Sequence, residues 1–297
     1  PSFTFPSTAN AFLLRGAKIV FCDSSIQNPN IDIKNIENLI TDRTKAIVPV
    51  HYAGIACDMD PIVKTASKNK ISVIEDAAQC MNSFYKGKPL GGIGDIGCFS
   101  FHDTKNIICG EGGLININDT ELFKKAEIFR EKGTDRSAFF KGEIDKYGWI
   151  NVGSSYLLSD VLGAFLFAQF EKIDYITKLR RKIWGYYFDS LLSLSLDFEM
   201  PYVPKFSRHN GHIFYLVCDS RKTRNNLISF LKSNGVSATF HYQALHLSLF
   251  FKDKYKGNIL ENAQKYSDRL IRLPLYPDLQ LQEQDYIIDL IKRFYSE

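Results

Sequence analysis

No apolar run in the sequence approaches the roughly 20 residues that a membrane-spanning helix needs; the longest greasy stretch, VLGAFLFA over 161–168, is short and broken by glycine. A membrane is therefore not expected as a partner. Blocks of like charge are also missing. The 37 Lys and Arg stand against 33 Asp and Glu, and the net +4 is spread along the chain, which argues against nucleic acid. The six cysteines, Cys22, Cys57, Cys80, Cys98, Cys109 and Cys218, contain no C-x-x-C pair and no zinc spacing. Reduced thiols in a cytoplasmic protein fit them best. No G-x-G-x-x-G follows the first predicted strand, so a redox dinucleotide-binding domain would lack its phosphate loop. Internal repeats and low-complexity segments are absent too. The chain opens on Pro1, and PSFTF reads neither as a charged signal segment nor as a transit peptide.

What is present is a globular α/β pattern: 45% of the 297 residues are apolar and 24% charged, enough for a sizeable core. Short β-branched or aromatic runs predict strands over 18–23, 45–52, 71–76, 95–102 and 112–116. Helical patterns fall over 7–14, 33–40, 59–69 and 121–131, and this alternation is the signature of a parallel α/β sheet. Asp58, with Pro61 following, and Asp119 are placed as helix caps. A single long helix is predicted over 159–194. Beyond Pro201 and Pro204 come a strand over 212–218, a helix over 222–234 stopped by Gly235, a strand over 236–241 and a last pair of helices.

Three patches carry chemistry. ISVIED delivers Glu75 and Asp76, followed by Gln79, at the carboxyl end of a strand, the edge where open α/β sheets bind ligands. SFHDTK brings Ser100, His102 and Lys105 to the same edge. GEGG over 110–113 gives a turn of unusual backbone freedom. A lysine beside an aspartate from a neighbouring strand suits pyridoxal 5'-phosphate: the amine condenses with the aldehyde, and the carboxylate keeps the ring nitrogen protonated. Either residue alone reads as a solvated charge or a helix cap; their joint order, with Gln79 and Ser100 between, is what points to the cofactor. His241, Tyr242 and His246 in FHYQALH lie near a strand end, and their spacing does not match the H-E-x-x-H of zinc enzymes, so no metal site is expected.

VIEDAAQ, GDIGCFSFHDTKNI and GEGGLI resemble the DegT/DnrJ/EryC1/StrS sugar aminotransferases, and the likeness runs from Pro1 to the C-terminus. The resemblance implies a fold-type I cofactor-dependent transferase: a mainly parallel sheet sandwiched by helices, residues 1–180, with a smaller C-terminal α/β domain, residues 181–297. It makes Lys105 the covalent and proton-carrying lysine, Asp76 the partner of the ring nitrogen, Gln79 that of the phenolic oxygen and Ser100 a phosphate ligand. Phe5, which alone would read as a core aromatic, becomes the ring-stacking residue. His102, His241 and Tyr242 are expected at the sugar nucleotide. Many relatives have G-x-N-Y-R where this chain has Gly153, Ser154, Ser155, Tyr156 and Leu157, so Ser155 takes the place of the asparagine that reaches the partner subunit's cofactor. The implied assembly is a homodimer with shared sites. The implied reaction moves an amino group from L-glutamate to the 4-keto carbon of a nucleotide sugar, dTDP-4-dehydro-6-deoxy-D-glucose foremost, with other 4-keto or 3-keto sugars as alternatives. Dehydratases of the family carry histidine in place of the lysine, and Lys105 argues against that activity. The family's phosphate-binding turn has no counterpart after Pro1, which predicts looser cofactor binding and leaves a second reading, an inactive remnant.

Overall fold

The computed structural model describes residues 1–296; Glu297, the last residue of the expected small domain, lies outside the described residues. Three sheets organise the chain. In the first, the strands Ala46–Ile47, Ser72–Asp76 and Ile96–Ser100 run parallel, and Gly113–Ile117 closes the sheet antiparallel to Ile96–Ser100. The last pairing corrects the all-parallel expectation. The segment between these two strands holds a turn and no crossover helix, so the chain can only double back. Helix Met59–Asn69 forms where predicted and buries Met59, Ile62 and Ala66 on one face, ending at Lys70 in the left-handed region. Asp119 caps its helix through the amides of Glu121 and Leu122. Asp58 does not cap: its carboxylate instead accepts the Tyr85 hydroxyl at 2.6 Å.

Two further expectations fail. Residues 18–23 form no strand, because their polar backbone groups are taken by Ser2, whose amide donates to Cys22, and by Asp32, whose amide donates to Asp23. The long helix over 159–194 is two helices, Asp160–Phe170 and Ile173–Leu192, and the chain leaves helical geometry at Lys172. The break lets Leu162, Leu166 and Phe170 from one helix and Ile173 and Ile176 from the other cover the same small core of Phe101, Ile107 and Cys109.

The second sheet is wholly antiparallel, in the order Thr239–Phe240, Leu270–Leu273, Phe214–Cys218, Phe198–Glu199. A small third sheet pairs the hairpin Phe84–Tyr85 and Lys88–Pro89 with Ser207–Arg208. This pairing draws Asn210 onto the first sheet, where its side-chain amide donates to the carbonyls of Gln79 and Met81. Gly54 is required beneath it: φ is +74°, and a Cβ there would meet Asn210 Oδ1 at 2.2 Å.

Separate apolar cores lie under the first sheet (Ile62, Val73, Leu90) and under the second (Tyr187, Phe214, Leu227, Ile291). A third joins the two halves, with Phe3, Tyr52 and Ile55 packed against Tyr215, Tyr266 and Leu270. Among the described residues no helix is long and apolar enough to cross a membrane.

Candidate active site

Alternation along one strand separates two neighbouring carboxylates. In Ser72–Asp76, Val73 and Glu75 point into the buried face, so Asp76 points to the other. Glu75 is fully buried and accepts from the amides of Gly91, Ile93 and Gly94 at 2.7–2.8 Å and from His51 Nε2 at 3.0 Å. His51 Nδ1 accepts the Cys57 amide at 3.0 Å, which fixes the neutral ring with its proton on Nε2. Glu75 thus ties the loop over 91–94 to the sheet and takes no part in the open site. Asp76 accepts the Thr8 hydroxyl on Oδ2 at 2.6 Å and the Ala78 amide on Oδ1 at 3.1 Å, both of which favour the charged carboxylate.

Ala77, Gln79, Ser100, Lys105, Asn106 and His212 are among the residues that line one cleft of about 210 Å³ at the carboxyl edge of the parallel strands. Burial lowers the Lys105 pKa, with Asp76 pulling the other way and the Arg272 charge adding to the lowering. An amine with a lowered pKa is more often free to act as a nucleophile. Gln79 receives the Ala53 amide on Oε1 at 2.6 Å and donates from Nε2 to the Tyr242 hydroxyl at 2.9 Å, leaving one Nε2 proton for a ligand. Ser100 Oγ accepts the His102 amide at 3.3 Å, so its own proton is free to donate.

Tyr242 links this floor to the second sheet's side of the cleft. Its neighbour His241 accepts the Tyr52 hydroxyl on Nδ1 at 2.9 Å, and the two rings stand 3.5 Å apart between centroids. Burial, then the charges of Arg272 and Lys105, push the His241 pKa down to about 2, so the imidazole is neutral. Tyr242 is raised above its ordinary value by burial and by Asp76.

Asp76, Gln79, Ser100, Lys105, His241 and Tyr242 therefore come together. Phe5 is 55% exposed and touches the group only through Tyr242, at 5.9 Å between ring centroids. His102 turns instead to Asp103, Thr104 and Glu111 on the exposed turn. Ser155 is exposed, and its recorded backbone pairing is with Glu131. Of the basic run over 178–182, Arg180 is buried and donates to the carbonyls of Gly211, His212 and Leu275, a structural duty rather than a phosphate contact. Thr8, Tyr52, Asn106, His212 and Arg272 were missed in the sequence. Their neighbours at the site lie far away along the chain, and no local pattern marks them.

The chain matches the DegT/DnrJ/EryC1/StrS aminotransferase family over residues 1–292. It is 34% identical to the uncharacterized protein MJ1066 of Methanocaldococcus jannaschii over 303 aligned residues, covering 99% of this chain and 78% of that protein. It is 33% identical to the spore coat polysaccharide biosynthesis protein SpsC of Bacillus subtilis, covering 97% of this chain and 76% of that one. Among solved structures, a putative sugar aminotransferase, Spr1654 from Streptococcus pneumoniae in its PMP form, superposes with a TM-score of 0.91 at 25% identity, covering 100% of this chain and 80% of its own. The fold and the sequence agree, and this chain belongs to the DegT/DnrJ/EryC1/StrS aminotransferase family.

Proposed function

We propose that the protein is a pyridoxal 5'-phosphate-dependent aminotransferase that moves the amino group of L-glutamate to the 4-keto carbon of dTDP-4-dehydro-6-deoxy-D-glucose, giving dTDP-4-amino-4,6-dideoxy-D-galactose. Further sequence likeness to dTDP-4-amino-4,6-dideoxygalactose transaminase, the enzyme of enterobacterial common antigen biosynthesis, supports the choice of sugar. The observation that carries the reading is the convergence of the Lys105 amine with the Asp76 carboxylate, itself held charged by Thr8, at one sheet edge. The donor set fits the cofactor: an amine for the aldehyde, a carboxylate for the ring nitrogen, and unspent protons on Gln79 and Ser100 for oxygens. When bound, the cofactor supplies an aldehyde and an electron-accepting ring.

Lys105 holds the aldehyde carbon and then moves a proton to and from the donor's α carbon. Its lowered pKa keeps a free base available near neutral pH. Asp76 keeps a proton on the ring nitrogen. His241 and Tyr242 face the sugar nucleotide as neutral hydrogen-bonding groups, and His102 and Phe5 take part in the same reading as contacts from the rim. Residues 1–180 would hold the cofactor and 181–297 form the smaller unit, in a cytoplasmic protein whose six cysteines are free.

The test is incubation with cofactor, L-glutamate and the keto sugar, with the product read by mass spectrometry and its C4 configuration by NMR. Amino sugar formed from glutamate supports the reading. A folded, cofactor-loaded protein that aminates no keto sugar nucleotide overturns it.

The same proposal includes a homodimer. Helix Asp160–Phe170 buries none of its residues although it is apolar all round, and Trp149, Val152, Tyr156, Val161 and Phe167 extend the exposed apolar patch. A monomer seldom leaves such a face to water, and Ser155 lies beside it. Light scattering should give twice 33.9 kDa, and Val161→Asp combined with Phe167→Asp should shift the protein to monomer; a monomeric parent protein would remove this part.

A further inference from the structure

We propose that Arg272 is the receptor for the α-carboxylate of the amino donor. The proposal deepens the amino-transfer reading and rests on it for the identity of the ligand.

Arg272 lies in the strand Leu270–Leu273, between Tyr215 on one neighbouring strand and Thr239 on the other. Its neighbours Ile271 and Leu273 point into the core beneath the second sheet, with Phe214 and Leu216. Leu270 and Arg272 therefore face the other way, toward the core that joins the two halves. Tyr215 stands directly opposite Arg272 on that face, 5.7 Å from Tyr52 between ring centroids, and Tyr52 is the residue that holds His241. The guanidinium is thus set among neutral aromatic side chains that lead to Gln79 and the cleft.

No anion answers it from within the protein. Among the described residues no carboxylate lies within 4.0 Å of Arg272, and its Nε is buried without a hydrogen-bond partner. The Tyr215 hydroxyl opposite is also buried and unpartnered. A buried donor left unpaired carries a full desolvation cost, and buried charges are as a rule paired or bound to a ligand. Asp76, the acid of this cleft, is already engaged by Thr8 and Ala78. The charge of Arg272 is felt throughout the site, where it helps lower Lys105, His212 and His241.

The chemistry of the two substrates selects the anion. In an amino acid the carboxylate is bonded to the very carbon whose proton Lys105 moves. A nucleotide sugar carries its negative charge on the diphosphate, with the sugar ring between that charge and the 4-keto carbon. An unanswered guanidinium near Lys105 therefore matches the amino acid, and its planar fork suits a carboxylate held by two parallel hydrogen bonds. Arg272 would then restrict the donors to amino acids and exclude simple amines.

The test titrates glutarate, a dicarboxylate with no amine, and separately inorganic phosphate, into the cofactor-treated wild type, Arg272→Gln and Arg272→Lys by calorimetry. It also compares KM for L-glutamate. We expect glutarate affinity to fall at least about tenfold in Arg272→Gln, with partial recovery in Arg272→Lys. KM for glutamate should rise by a similar factor while the KM for the keto sugar stays put. Unchanged glutarate affinity in folded Arg272→Gln overturns the proposal, as does a wild type that binds no glutarate. Phosphate binding that displaces glutarate and falls by the same factor would assign Arg272 to a phosphate instead and overturn it too. Because the glutarate titration needs no turnover, failure of the protein to aminate any sugar would leave its result readable.

Discussion

Replacing Lys105 by alanine is expected to lower amino transfer by about 10⁴-fold or more, since both the covalent hold on the cofactor and the proton carrier go with one side chain. The variant should remain folded. Lys105 is only partly buried at the rim of the cleft and makes no hydrogen bond or ion pair from its amine among the described residues. The visible absorbance that the wild type gains with pyridoxal 5'-phosphate should vanish in Lys105→Ala, and borohydride reduction of the loaded wild type followed by peptide mapping should leave the label on residue 105. A label elsewhere in an active sample would refute the assignment. Lys105→Arg should behave like alanine: arginine keeps the positive charge but stays protonated and cannot condense with an aldehyde.

The second large effect concerns stability. Glu75→Ala removes the acceptor of three backbone amides and of His51 at a site with no water access, and should destabilise the fold by about 3–5 kcal/mol. Chemical denaturation would read this as a lower midpoint at unchanged slope. The site also predicts a pH dependence. Burial alone would raise the Glu75 pKa, but the bonds from His51 and from the amides of Gly94 and Gly91 outweigh it and leave the carboxyl below its ordinary value. A group with a depressed folded pKa stabilises the protein above its unfolded pKa, and that contribution is lost as the pH falls through the folded value. The wild type should therefore lose stability below about pH 5, whereas Glu75→Gln, already weakened, should show a shallower acid limb. An acid limb of equal steepness in the two proteins would count against Glu75 as its source.

Parts of this were legible in the sequence and parts were not, for definable reasons. Asp76 and Lys105 could be read because each sits where a strand ends, and strand ends are local events. Period-two alternation also separates Glu75 from Asp76 once the strand is placed, though only the structure reveals that the loop over 91–94 closes on Glu75. The long helix was misread because the pattern across Lys172 stays apolar and carries neither proline nor glycine. Strand Leu270–Leu273 was overlooked because a run so short sits between two helices without turn signals of its own, and Arg272 was overlooked with it. Thr8 touches Asp76 across 68 positions of chain, a closeness that no spacing rule encodes. The fate of Arg180 was equally hidden, since a basic run looks the same in sequence whether its members face solvent or thread inward.

The aromatic cluster of Phe3, Tyr52, Tyr215 and Tyr266 has a consequence for how this polypeptide can be handled. Ser2 hydrogen-bonds His246, and Leu245 donates its amide back to Ser2, so the first residues are stitched to the far end of the chain. Cutting near residue 180 would strip each piece of half a shared wall, and neither would be expected to survive as a free-standing folded body.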